Sequence, residues 1–147
     1  MSRIFLSFFI VFSFSYGASQ KLWDFEHSFN LKKDKIAIVN INKNVKNKKN
    51  NKRYSLKFRW TLYANKTLIL LANYMGYPYQ FVLKRVRPLD RVKIKLLGDS
   101  GDFGGQTYAL LVFSDFDEQK NVATIGVYIK DEARRIKVDF IEPKKGV

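Results

Sequence analysis

Few residues in this chain have the chemistry for catalysis. Ser100, in Gly98-Asp99-Ser100-Gly101, is the one serine in a setting that suggests a nucleophile. A serine nucleophile needs a base within hydrogen-bond reach, held in turn by a carboxylate. His27 is the only histidine and so the only candidate base. It sits in the alternating run Trp23, Phe25, His27, Phe29, which points it toward a core face. The glycines around Ser100 therefore read as a flexible loop that permits positive φ. There are no cysteines, which excludes thiolate metal sites, disulfides and cysteine nucleophiles. Asp99, Asp102 and Asp115 suggest a calcium loop, but an EF-hand needs carboxylates at positions 1, 3 and 5 and a Glu at 12, and that spacing is missing. Asp115-Phe116-Asp117-Glu118 reads as a hairpin turn. The only glutamates are Glu26, Glu118, Glu132 and Glu142, and no two of them are marked as facing a cleft in the way a glycosidase needs. No catalytic, metal or cofactor-binding residue is assigned, and the expectation is a protein that is not an enzyme.

Residue types suited to binding are more plentiful. The chain carries 27 Lys and Arg against 13 Asp and Glu, a formal net charge of +14. Lys43 to Arg53 holds six basic residues, no acid and one apolar side chain. It cannot bury enough surface to order itself and reads as a mobile basic loop over 43–53. Within it Lys46, Lys48, Lys49, Lys52 and Arg53 are candidate contacts for an anionic partner. Lys57, Arg59, Lys93 and Lys95 extend the set, as the wet side of alternating strands that form one basic face. Tyr74, Tyr77 and Tyr79, grouped with Phe81 around Gly76 and Pro78, are a possible aromatic contact for sugars or peptides. Trp23 and Trp60 fall on core faces of their strands.

The elements that position these residues read as strands. Apolar and polar residues alternate with period two over Trp23–Leu31, Tyr54–Leu62, Val92–Leu96 and Ile136–Phe140. Leu68–Leu71, Tyr108–Phe113 and Val122–Ile129 are nearly continuous in apolar residues and read as central strands covered on both sides. Weaker runs lie at Ile36–Ile41 and Tyr79–Leu83. Asp34-Lys35, Asn65-Lys66, Met75-Gly76 and Asp117–Asn121 supply turn chemistry between them. Residues 66–75 also fit a short helix capped by Asn65 and ended by Gly76, but the strands on either side favour a strand. The expectation is an all-β, single antiparallel sandwich or barrel-like domain of about eight to nine strands, with no internal repeat and no second domain.

Residues 1–17 have one Arg, an apolar stretch from Ile4 to Phe14 and then small residues. That is the layout of a signal peptide, with Ser15 and Gly17 placing the cut before Ala18. The stretch is too short to span a membrane, and no apolar run in the chain reaches the roughly 18–20 residues a transmembrane helix needs, so residues 18–147 are expected to carry no transmembrane segment. Export without disulfides points to a periplasmic protein, with secretion as the alternative. Export also takes the chain away from genomic nucleic acid. The functional expectation is a non-enzymatic, envelope-associated binding or scaffold protein that contacts an anionic or protein partner. Its alternatives are an accessory subunit of an envelope assembly that pairs a β-edge, and a cell-wall hydrolase.

Overall fold

The computed structural model describes residues 21–43, 53–97 and 106–144. The expected signal segment 1–17, the loop lysines Lys46, Lys48, Lys49 and Lys52, and Asp99, Ser100 and Asp102 lie outside them. Among the described residues there are nine strands and no helix: β1 Phe25–Lys32, β2 Ala37–Lys43, β3 Arg53–Ala64, β4 Thr67–Tyr74, β5 Tyr77–Lys84, β6 Arg91–Lys95, β7 Thr107–Asp117, β8 Val122–Asp131 and β9 Ile136–Ile141. They form two antiparallel sheets, ordered β1-β8-β7-β6 and β5-β4-β3-β2-β9, packed as a β-sandwich. The chain runs as two meanders, β2 to β5 in one sheet and β6 to β8 in the other. The two outermost strands then exchange ends, with β1 beside β8 and β9 beside β2.

The core follows from the period-two pattern. Phe29 and Leu31, Val39 and Ile41, Leu56, Phe58 and Trp60, Leu68 and Leu70, Leu111 and Phe113, and Ile125, Val127 and Ile129 all turn inward and are buried. Phe29 of one sheet meets Phe58 of the other edge-on, with ring centroids 5.5 Å apart. Within residues 66–75 the strand is Thr67–Tyr74, closed at each end by a two-residue turn in which both residues have positive φ: Asn65 and Lys66, then Met75 and Gly76. Such turns match the right-handed twist of a hairpin, and they are what rules out the helix.

The structure corrects three local expectations. Tyr54 to Leu62 does not keep one phase, because a bulge between Trp60 and Leu62 inserts a residue into β3. Leu62 is thereby turned outward, and Tyr63 turns inward to stack on Phe116 at 3.7 Å. The three apolar runs are central strands, but they are not covered on both sides. With only two layers, Ile69, Leu71, Leu110 and Val112 alternate with buried neighbours and stay half-exposed. Trp23 is not in the core. The alternation starts at Phe25, after Asp24 docks its N–H on the Ile129 carbonyl and accepts the Asp131 N–H. Trp23 instead lies against Tyr108 and Tyr128 on the outer face of the four-stranded sheet.

Each crossing between sheets is pinned by polar contacts. At the β1–β2 crossing the Trp60 indole N–H donates to the Leu31 carbonyl at 2.7 Å, and the Asp34 N–H donates to the Trp60 carbonyl at 2.9 Å. At the β8–β9 crossing the buried Asp131 carboxylate accepts from the Thr107 hydroxyl at 3.0 Å and the Ile136 N–H at 2.9 Å. At the β5–β6 crossing the Asp90 carbonyl accepts the Phe113 N–H, and its carboxylate takes a two-pronged bond from Arg91 at 2.7 and 2.9 Å. The Arg91 bond holds the Asp90 carboxyl below the usual carboxylate range. A group whose pKa is lowered by folding stabilises the fold above its unfolded pKa of about 3.9 and loses that contribution as pH falls through the lower folded value. Acid unfolding of the wild type should therefore steepen below about pH 4, and Asp90→Asn should flatten that limb in a denaturant titration repeated across pH.

Candidate functional site

The outer face of the five-stranded sheet gathers cations and uncovered apolar side chains. Side chains alternate along each strand, so the register fixes which of them stand in a row across the sheet. Val82, Ile69 and Leu62 form one such row. Gln80, Leu71 and Arg59 form the next, and Pro78, Asn73, Lys57, Ile38 and Ile141 the third. Val82 is 57% exposed and Leu62 54%. Ile36, Lys57, Arg59, Leu71 and Asn73 line an open depression of about 340 Å³ on this face. Neither Lys57 nor Arg59 has an acidic partner among the described residues. The acid that β9 places on this face, Asp139, accepts a hydrogen bond from Asn42.

The expected single basic face is divided by the fold. Lys57 and Arg59 lie on the five-stranded sheet, while Lys93 and Lys95 lie on the outer face of the opposite sheet. Lys93 is held there, with its ammonium 3.9 Å from the centre of the Tyr108 ring and 3.2 Å from the Gln106 side chain. Alternation within a strand assigns a residue to a wet side but not to a sheet, and this is why the two pairs looked continuous. Arg53 opens β3 and donates to Asn42. Gly126 lies on that second face, beneath Tyr128, where a Cβ would come within 2.7 Å of the ring.

The tyrosine group is also divided. Tyr74 is buried, its hydroxyl accepts the Leu97 N–H at 3.3 Å, and burial pushes its pKa up. It is a core residue and offers no contact. Tyr77 is 67% exposed and Tyr79 37% exposed, and Tyr79 lies parallel to Phe81 with centroids 5.9 Å apart. Of the ten large apolar residues exposed among the described residues, six fall between 75 and 89: Met75, Tyr77, Tyr79, Val82, Val86 and Leu89. Val82 could have been noticed in the sequence, since it breaks the alternation of Tyr79, Phe81 and Leu83.

These residues border an open sheet edge. The two-residue turn at Met75-Gly76 makes Tyr74 and Tyr77 the closing, hydrogen-bonded pair of the β4–β5 hairpin. Odd-numbered residues of β5 then bond to β4, and even-numbered ones face away. Lys84 follows this rule, because its N–H reaches the Leu89 carbonyl and its carbonyl accepts the Val86 N–H. Pro78, Gln80 and Val82 remain, with no backbone partner among the described residues. Pro78 has no N–H to leave unpaired, which is where an edge strand tolerates proline.

The candidate catalytic residues are placed in structural roles or outside the described residues. His27 Nε2 lies 2.7 Å from Glu142, and its ring stacks on Phe140, joining β1 to the end of β9. Glu132 accepts the Gln106 N–H, and Glu26 faces outward on β1. Asp115 pairs with Arg85 at 2.9 Å. Asp117 accepts the Lys120 N–H in the β7–β8 turn, and that bond lowers its pKa. Compared with protein families, curated proteins and solved structures, the chain matches none.

Proposed function

We propose that this is a non-enzymatic binding protein that docks on an anionic amphiphilic surface, such as a membrane rich in acidic headgroups, through the outer face of its five-stranded sheet. The observation that carries this reading is the uncovered row of Val82, Ile69 and Leu62 beside Lys57 and Arg59, which lack acidic partners among the described residues. Basic residues near an anionic surface contribute about 1 kcal/mol each. Two cations and two half-exposed apolar side chains together give roughly 4 kcal/mol, close to millimolar affinity. Adding Lys46, Lys48, Lys49 and Lys52 from the connection that joins β2 and β3 in the same sheet brings this to about micromolar. Export to the cell envelope would place the protein beside such a surface.

Vesicles with and without phosphatidylglycerol test the reading. Wild-type protein should bind only the anionic vesicles, and more weakly as salt rises. Lys57→Gln with Arg59→Gln should weaken binding by at least about tenfold and flatten its salt dependence. The melting temperature should hardly move, since both side chains are exposed. Equal binding to neutral vesicles, or unchanged binding by the double variant, would overturn the proposal. A second reading, assembly with a protein by strand addition, is favoured by the open backbone of β5.

A further inference from the structure

We infer that β5 is a self-pairing edge, and that two copies of this chain join β5 to β5 in antiparallel fashion about a two-fold axis at Gln80. The inference is independent of the membrane reading. It shares with the strand-addition reading only the open backbone of β5, to which it assigns a second copy as occupant.

The backbone argument is one of self-complementarity. With the axis at Gln80, the two Gln80 residues face each other and exchange both of their outward N–H···O=C bonds. Val82 then stands opposite Pro78 of the second copy, and donates its outward N–H to the Pro78 carbonyl. The same bond forms on the other side of the axis. The missing Pro78 N–H costs only the return bond to Val82. Every outward donor of the open segment is thus satisfied by the same segment of a copy, so one strand supplies both halves of the interface.

The side chains agree. From Tyr77 to Leu83 the strand has no charged residue, so no like charges meet across the axis. Lys84 lies beyond the paired segment, its outward N–H and carbonyl already held by Leu89 and Val86 of its own chain. On the inner side Tyr79 falls opposite Phe81 of the second copy, and Phe81 opposite its Tyr79. The parallel Tyr79–Phe81 pair already present in one chain would become a two-by-two block of four rings, and cross-strand aromatic pairs are among the stabilising ones. The exposed portions of Met75, Tyr77, Tyr79, Val82, Val86 and Leu89 amount to roughly 600 Å² per chain, the lower bound for a specific interface. β6, which also ends its sheet, offers a contrast. The Leu96 N–H bond to Thr107 shows that even-numbered residues of β6 face β7, which turns the backbone of Arg91, Lys93 and Lys95 outward. An edge lined with cations repels a copy of itself.

An antiparallel pair keeps matching faces on the same side, so two five-stranded sheets would merge into one of ten strands. Their basic and apolar outer faces would lie in one surface.

Sedimentation of the purified protein at increasing concentration tests the inference. A monomer–dimer equilibrium is expected, and it should tighten with added salt, because each copy carries a net charge of +14. Gln80→Pro removes both central donors at an edge position like that of Pro78 and should give a monomer with an unchanged melting curve. Gln80→Lys and Gln80→Glu each place like charges opposite each other, and each should dimerise at least about fivefold more weakly than wild type. Mixing the two should restore the dimer as a heterodimer. Monomer at every concentration, a Gln80→Pro variant that dimerises normally, or a charge-swapped mixture that stays monomeric would each overturn the inference. So would a foreign protein held by wild type and lost in Gln80→Pro.

Discussion

Trp60→Ala is expected to lower unfolding stability by about 3–5 kcal/mol, a large share of the roughly 5–15 kcal/mol that holds a domain together. The Trp60 ring is buried and meets Phe116 edge-on at 5.4 Å. Its removal leaves a cavity that β-sheet backbone on both sides cannot collapse to fill. The indole N–H is also the donor to the Leu31 carbonyl. Trp60→Phe separates the two effects. It keeps most of the ring but leaves that buried carbonyl without its indole donor, and should cost about 1–3 kcal/mol. Denaturant titrations of both variants check this. If Trp60→Phe were as damaging as Trp60→Ala, the hydrogen bond would outweigh the packing. A loss below about 1 kcal/mol in Trp60→Ala would show that the core closes over the gap.

Asp131→Ala is expected to be nearly as damaging, at about 2–4 kcal/mol, for a different reason. Asp131 is buried, and its two oxygens accept from the Thr107 hydroxyl and the Ile136 N–H. Thr107 in turn accepts from Arg135 at 3.0 Å. Removing the carboxylate takes from the buried Ile136 N–H its acceptor and loosens the turn that carries the chain from β8 to β9. Asp131→Asn keeps one carbonyl oxygen for one of the two donors and should lose about half as much. The test is the ordering Asn above Ala in unfolding midpoint. Equal loss in both would show that the charge, and not the acceptor geometry, is what matters.

The sandwich was legible because its strands have one wet face and one dry one. Phe25 to Leu31 and Tyr54 to Trp60 alternate cleanly enough to be read residue by residue. The bulge after Trp60 was not legible: Thr61 is an ordinary strand residue, and only the register, in which Trp60 and Leu62 face the consecutive residues Leu70 and Ile69 of β4, shows that it is the extra one. Trp23 was misplaced because alternation gives a phase and not a starting point. The buried Asp131 was missed because an acid beside Glu132 at the end of an apolar run looks like any turn acid. The candidate contact surface was half legible. Lys57 and Arg59 are exposed as read, but that Lys93 and Lys95 face the other way depends on strand order, which composition does not encode. Along the exposed apolar rim around β5, Tyr77 and Tyr79 stand out in the sequence by their type, whereas Val82, Val86 and Leu89 look like ordinary strand and loop residues.

The exchange of the two end strands sets a waiting time on synthesis. Phe25 to Lys32 pair with Val122 to Ile129, about a hundred residues later in the chain. At roughly 5–20 residues per second, the ribosome takes about 5–20 s to make β8 after β1 has been made. For that interval β1 has no partner strand, and β2 has only β3 until β9 is made. The meander from β2 to β5 can close hairpin by hairpin as it emerges, but neither sheet is complete until the last strands of the chain exist. A nascent chain of this topology therefore stays open, and its alternating hydrophobic first strand stays available to whatever escorts it, until β8 and β9 have been made.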